Sequence, residues 1–319
     1  MIKTQIRLAV TAAILALSVQ AAAAQGNTFP NQTVKIVVPF AAGSLTDMLA
    51  RILSDKLAPV WHQSIIVENQ PGIAGTAATA KAAPDGYTFL LVSNGHTVIK
   101  TITPNLSFDP VADFVGVTKL ASMPMIMIAP PKAENNSVAA IVKRAQDNPG
   151  KLSYASAGLN STAYIAGELF KKTKNLDILH VPYKGTPPAQ TSIMRGDTDF
   201  FFSPASVSDE LILSGKVTAL AVTGKTRVGS LPKVPTFAEA GMPEFEYDAW
   251  FGLLAPAGTP KAIRDKVSQD IAKVLAEPDV RDRLAKQGTV VASSTPDAFD
   301  ALVKSDTALY TKVLGGPAK

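Results

Sequence analysis

The chain has 319 residues, 46% of them hydrophobic and 18% charged, with a formal net charge of +5 and no cysteine. Its length supports a sizeable core and two domains rather than one, and the missing thiols exclude disulfides and a lipoprotein anchor. The charge is too dilute for a nucleic-acid interface, since the densest cluster is Lys171-Lys172 with Lys174 and no aromatic residues interleave it.

Lys3 and Arg7, an apolar run over 8–19 and the small residues Ala21-Ala22-Ala23-Ala24 read as a secretory signal peptide, residues 1–24, cut near Ala24/Gln25. Its removal takes 31 basic residues to 29 against 26 acidic. No later stretch is apolar enough to cross a bilayer. The expectation is an exported, periplasmic monomer.

Residues 34–38 form a β-branched run with the composition of a buried strand, closed by Pro39. Ala41, Ala42 and Gly43 then make a turn with almost no side-chain bulk, and Ser44 with Asp47 three residues on reads as a helix start. Leu45, Met48, Leu49, Ile52, Leu53 and Leu57 give that helix one apolar face to about Val60. Such a corner leaves backbone N–H groups and a positive helix end free to hold an anion without lysine or arginine. Taken alone, such a corner is more often an ordinary strand-to-helix turn, because a lone glycine is a weak signal.

Strands over 64–67 and 87–92 flank a helix over 76–83, an alternation that argues a parallel α/β sheet. Ser93, Asn94, Gly95 and His96 follow. Two strand-like runs, 115–120 and 125–129, lie on either side of Pro124, with Met123, Met125 and Met127 alternating as core or hinge packing. After a helix over 137–147 comes a strand over 152–156, the loop Ala157-Gly158-Leu159-Asn160 and a helix over 161–174. This repeats the opening corner, with Ser161 as the hydroxyl cap. A strand over 178–181, a helix over 189–195, a buried strand at Phe200-Phe201-Phe202, a helix over 207–213 and a strand over 219–222 follow. Phe202 reads as core that could also wall a cleft. The last third gives a strand over 250–256, then a helix to about Ala276 with Pro260 at its first position and Thr259 as cap. Helices over 278–286 and 295–313 end the chain. If this third completes a first lobe of 25–124 and 250–319, and 125–249 is a second lobe, the chain crosses twice, which makes a two-segment hinge.

No catalytic or metal motif is visible. His62, His96 and His180 are far apart, with no cysteine to complete a ligand cluster. No glycine pair has the spacing of a Gly-x-Ser-x-Gly elbow or a dinucleotide loop, and Gly224 and Gly229 are followed by Ser230 rather than the lysine of a phosphate loop. Asp197 and Asp199 read as a solvated turn. The expectation is no enzyme, no metal and no cofactor.

Several blocks then stand in a recognisable order. They are Val37-Val38-Pro39-Phe40-Ala41-Ala42-Gly43 with Asp47 and Arg51, Val67-Glu68-Asn69 with Pro71-Gly72, and Pro84-Asp85-Gly86-Tyr87. Asn148-Pro149-Gly150, Tyr154-Ala155-Ser156-Ala157-Gly158, Val181-Pro182-Tyr183-Lys184-Gly185, Val234-Pro235-Thr236 and Ala255-Pro256-Ala257-Gly258-Thr259-Pro260 continue it. Over nearly the whole mature chain this resembles the substrate-binding proteins of tripartite tricarboxylate transporters, the Bug family. The resemblance implies an α/β, two-lobed periplasmic binding protein of type II, each lobe a mixed sheet flanked by helices. It implies capture of a small organic carboxylate and delivery to a tripartite tricarboxylate-type membrane transporter. The carboxylate would be held by amides, hydroxyls and ordered water from Ala42, Gly43 and Ser44 and from Ser156, Ala157, Gly158, Ser161 and Thr162. Phe40, Thr46 and Asp47 join the first set and Tyr183 the second, while Ser93 and His96 are expected to reach the distal end of the ligand.

There are departures from the family. Ser44 replaces a usual second glycine, Tyr164 replaces a common histidine, and Leu159 and Asn160 are atypical. Ser203 stands where an aspartate able to meet an amino group is common. Its presence argues against amino acids and toward dicarboxylates or aromatic carboxylates such as terephthalate, adipate or a citrate-like acid. The alternative function is a ligand-presenting partner of a sensor kinase or chemoreceptor.

Overall fold

The computed structural model describes residues 29–103, 105–131, 137–158 and 161–315. The signal peptide reading over 1–24 lies outside them, as do Leu159 and Asn160. The described chain opens with β1 (Val34–Val38), α1 (Leu45–Trp61), β2 (Ile65–Asn69), α2 (Ile73–Ala80) and β3 (Thr88–Ser93). A 3₁₀ turn (Asn94–Val98) and a short α3 (Ile99–Ile102), neither read from the sequence, lead to β4 (Phe114–Met123) and β5 (Met125–Ala129). Then come α4 (Val138–Asp147), β6 (Ser153–Ser156), α5 (Thr162–Thr173), β7 (Leu179–Pro182), α6 (Thr186–Arg195), β8 (Phe200–Pro204), α7 (Ala205–Leu213) and β9 (Thr218–Val222). The last elements are β10 (Ala249–Pro256), α8 (Lys261–Ala276), α9 (Pro278–Ala285), the two-residue β11 (Val290–Val291) and α10 (Pro296–Leu314).

These strands make two sheets, ordered β11-β4-β10-β3-β1-β2 and β7-β6-β8-β5-β9. β1 is parallel to β2 and β3, whereas β10 runs antiparallel to β3 and β4. The second sheet repeats the scheme: β6 is parallel to β7 and β8, and β5 is antiparallel to β8 and β9. Both sheets are therefore mixed. The parallel part of each is the βαβ unit visible in the sequence, and the antiparallel strand comes from elsewhere in the chain. β4 and β5 belong to different sheets and are separated by Pro124 alone. A proline cannot donate to either ladder, so the strand changes sheet there.

β10 is buried along its whole length, as expected of a strand deep inside the first sheet. Trp250 meets Phe299 of α10 edge-on at 5.2 Å, and Gly252 lies beneath the same ring. In the second core Phe170, Phe200, Phe202, Phe237 and Phe245 pack ring against ring, so Phe202 is interior.

Three local expectations are corrected. α2 starts at Ile73 rather than 76, because Gly72, at φ 88°, donates its amide to Pro39 O at 3.2 Å and turns the chain early. Pro260 is the cap residue of α8, and the Thr259 hydroxyl donates back to Pro256 O at 2.7 Å instead of capping. Asp199 is not a solvated turn residue, since it accepts the Ser153 amide at 2.8 Å and pairs with Arg144 at 2.7 Å.

A Cβ on Gly252 would overlap the Phe299 ring, whereas one on Gly229 would meet nothing within 4 Å. Gly252→Ala should therefore cost about 1–3 kcal/mol in urea unfolding, with Gly229→Ala near neutral. Burial also pushes His96 and His180 down to about 4. Both rings titrate near ~6.5 once unfolded, so between about 4 and 6.5 the unfolded chain binds more protons and stability falls as pH is lowered. His96 contributes about 1.4 kcal/mol per pH unit across that window and the partly exposed His180 less. Urea midpoints at about pH 7.5 and about pH 4.5 test this: the fall should be shallower in His96→Leu than in the natural protein.

Candidate functional site

In each sheet the chain reverses direction around one strand. β1 has its successor β2 on one side and β3 on the other, and β6 likewise lies between β7 and β8. Where successive connections leave on opposite sides, the loops at the carboxyl ends part and leave a crevice, the usual ligand position in such sheets. The two corners singled out from the sequence stand at these two reversal points.

At the first corner Ser44 caps α1, accepting the Asp47 amide at 3.2 Å, and its hydroxyl meets the Thr46 hydroxyl at 2.9 Å. The turn itself is tied inward. Gly43, at φ 82°, donates its amide to Asp47 Oδ2 at 2.9 Å, and Ser44 donates to Ala41 O at 3.2 Å. Asp47 is 4% exposed and also accepts from Asn69 Nδ2 at 3.0 Å and Arg51 Nε at 3.0 Å. Burial works against its charge, but Arg51, the Gly43 amide and Asn69 outweigh it and hold its carboxyl below the ordinary range. Among the described residues the amides of Ala42 and Leu45 meet no acceptor, and Ala41, Ala42 and Gly43 are exposed. The free donors of this corner are thus Ala42 and the first turn of α1, rather than Gly43 and Ser44.

Beside it, between the ends of β1 and β3, lies a cavity of about 40 Å³ walled by Phe40, Ile73, Thr76, Ser93, His96 and Ile99. Ser93 caps the 3₁₀ turn, accepting the Gly95 amide at 3.3 Å. The same turn buries His96 edge-on against Phe114, with Nε2 2.8 Å from Pro110 O.

The second corner is built without a carboxylate. Ser156 is fully buried, and its hydroxyl takes the Gly158 amide at 3.1 Å and meets His180 Nε2 at 2.7 Å. Gly158 has φ 116°, and its carbonyl accepts the Ser161 hydroxyl at 2.6 Å. Ser161 caps α5, and Tyr183 donates its amide to Ser156 O at 2.9 Å. Thr162 reaches Met125 Sδ at 3.8 Å. Across the reversal, Ser203 at the end of β8 is buried and accepts from Ser208 at 2.6 Å and Gln190 at 3.3 Å.

The structure thus groups Phe40, Ala42, Gly43, Ser44, Thr46, Asp47, Ser93 and His96 around one corner. Ser156, Ala157, Gly158, Ser161, Thr162 and Tyr183 surround the other, with Ser203 behind it. Asn69, Arg51, His180 and Gln190 were missed as parts of these corners. Arg51 carried a signal, lying four residues after Asp47 on one helix face. His180 carried none, because its partner is 24 residues away on the neighbouring strand. α5 packs against the Asn94–Val98 turn, which brings the second corner's helix against the segment that follows β3 of the first sheet.

Residues 49–312 match the TctC family, described as the tripartite tricarboxylate transporter family receptor. The chain is 34% identical to protein BugT of Bordetella pertussis over 314 residues, 96% of each. MatC from Rhodopseudomonas palustris with bound malate is 32% identical and superposes with a TM-score of 0.75 over 90% of this chain and 100% of that one. R. palustris Rpa4515 with adipate is 31% identical, with a TM-score of 0.75 over 90% and 98%. With two mixed sheets of one repeated topology and this agreement along its length, the chain belongs to the tripartite tricarboxylate transporter receptor family, the Bug substrate-binding proteins.

Proposed function

We propose that the protein captures a small organic carboxylate between the two corners in the periplasm and delivers it to a tripartite tricarboxylate-type membrane transporter. The lobes divide after Pro124 and before Trp250, and the ligand anion draws the Ala42 and Ser156–Thr162 corners together. The carrying observation is the repetition itself: a glycine at positive φ and a hydroxyl-capped helix stand at the reversal point of both sheets. A ligand that touches both corners binds the closed arrangement better and shifts the population toward it. Four to six charge-assisted hydrogen bonds of about 1.5–3 kcal/mol each, less association costs, support roughly micromolar affinity.

Malate and adipate, bound by the two relatives, fall within the dicarboxylates favoured by Ser203, and aromatic diacids belong to the same class. Among the described residues the Ser156–His180 pair resembles a hydrolytic nucleophile and base. Its serine is fully buried and already receives the Gly158 amide, so the pair braces a loop and turns nothing over.

A thermal-shift screen of mono-, di- and tricarboxylates should raise the melting temperature with at least one of them. Calorimetry with that acid should show Gly43→Val and Gly158→Val each weakening binding by about tenfold or more. A Cβ on Gly43 meets nothing within 4 Å and one on Gly158 only Tyr183 O at 3.8 Å, so valine intrudes on the ligand side without entering the core. At φ 82° and 116° it also strains the turn it sits in. Unchanged affinity in both variants would defeat the cradle. Asp47→Asn removes the charge that pairs with Arg51 and should also lower affinity about tenfold, with the fold retained by circular dichroism.

A further inference from the structure

The hydrogen bonds of the second corner decide which way each hydroxyl points. Gly158 O accepts twice, from the Ser161 hydroxyl at 2.6 Å and the Ser161 amide at 3.1 Å, which fills both lone pairs of a carbonyl. Ser156 Oγ accepts the Gly158 amide at 3.1 Å and still has its own hydrogen to give. Among the described residues two acceptors lie within its reach: Gly158 O, already filled and 3.3 Å away, and His180 Nε2 at 2.7 Å. The hydrogen therefore goes to Nε2, which is the bare acceptor of a ring whose own hydrogen sits on Nδ1. The bonds run in one sense, from the Gly158 amide to Ser156 and from Ser156 to His180.

The ring is held in that place. It stacks on Tyr154 of β6 at 4.9 Å and meets Tyr164 of α5 at 4.9 Å, and Tyr154 is fixed in turn through its hydroxyl to Glu168 at 2.6 Å. Burial pushes the ring down to about 4, with Glu168 and Lys171 of α5 acting in opposite senses, so Nε2 keeps its lone pair near neutral pH. The first corner follows the same plan with other groups. Asn69, on β2 beside β1, donates to Asp47 at 3.0 Å, and Asp47 takes the Gly43 amide at 2.9 Å. In each sheet a side chain on the neighbouring parallel strand thus holds the group that draws in the amide of the corner glycine. What stays unspent is the amide one residue earlier: Ala157, like Ala42, meets no acceptor among the described residues.

We propose that His180 is a positioning residue for the ligand site: by taking the Ser156 hydrogen it fixes the Ser156–Gly158 bond, and with that bond the turn that presents the free Ala157 amide. This rests on the carboxylate reading above and names the group that keeps its second corner in binding shape. Without the acceptor, the Ser156 hydroxyl has only Gly158 O to turn to. There it competes with Ser161 for a carbonyl that is already filled, and the turn loosens.

Two substitutions separate the acceptor from the ring. His180→Phe keeps a ring between Tyr154 and Tyr164 and loses the acceptor, whereas His180→Gln loses the ring and keeps an acceptor oxygen. Calorimetry with succinate, malate, adipate, terephthalate and citrate finds the acid that the natural protein binds tightest. That acid should bind about tenfold weaker to His180→Phe and within about threefold of the natural protein to His180→Gln. A phenylalanine variant that binds as the natural protein does, or a glutamine variant that binds no better than the phenylalanine one, overturns the proposal. A second readout needs neither variant nor ligand. In natural protein labelled with ¹⁵N-histidine, the His180 hydrogen should sit on Nδ1 and Nε2 should give the resonance of a bare acceptor, moving downfield in Ser156→Ala. A hydrogen found on Nε2 overturns the proposal while leaving the carboxylate reading to stand on its own binding data. If none of these acids binds, the carboxylate reading falls and takes the role of His180 in binding with it.

Discussion

One buried carboxylate holds the first corner in shape. Asp47 sits in the first turn of α1, where the helix end favours negative charge, and it accepts from Gly43, Asn69 and Arg51 together. Its grip on the Gly43 amide fixes a turn that has almost no side chains of its own to pack. A bare anion inside an anion cradle would repel the ligand it serves. Arg51, in contact with both Asp47 oxygens at 3.0 Å, cancels that charge within the protein. The attraction left over comes from unspent amides and the helix end, which are fixed dipoles that need no reorganisation as a ligand arrives.

The second corner reaches the same shape with neutral groups. Ser156 takes the Gly158 amide, His180 meets Ser156, and Ser161 closes on the Gly158 carbonyl. Burial keeps the His180 ring neutral, so the ring that braces this loop carries no positive charge. On the proposed reading, recognition at both corners is directional and rests on backbone and hydroxyl donors. On that reading shape and hydrogen-bond sense, not net charge, would separate acids of equal charge.

The sequence showed the two corners, the helices that leave them and the order of most strands, because each rests on local rules. Gly43 and Gly158 were legible as turns, Ser44 and Ser161 as caps, and residues 34–38 as a buried strand. What it hid was non-local. The bond from Gly43 to Asp47 was unseen, so the amides credited to the ligand included ones the protein uses itself. The Ser156–His180 contact depends on β6 and β7 lying side by side, and the bonding of Asp199 on the turn before β8 meeting Ser153. The 3₁₀ turn at Asn94–Val98 also escaped, although it shapes the His96 cavity, because five residues with a glycine carry no helical period. The Pro260 error was of another kind, since Thr259 spends its hydroxyl on Pro256 and leaves the next residue to cap.

The two chain crossings are not independent tethers. Asp248, just before β10, accepts from Lys119 at 2.6 Å and from Ser122 at 2.8 Å on β4, which leads into the other crossing. Tyr247 donates its amide to Thr223 O at 3.1 Å, and the Thr223 hydroxyl takes the Met125 amide at 3.1 Å. The Tyr247 hydroxyl also receives Asn94 Nδ2 at 2.8 Å, which ties the same segment to the turn that carries His96. Crossings bonded to each other at this many points form one piece, and a hinge between the two sheets, as proposed, would have a single axis to turn about. Since Asn94 and His96 share one 3₁₀ turn, the segment that Tyr247 holds is also the one that walls the crevice between β1 and β3.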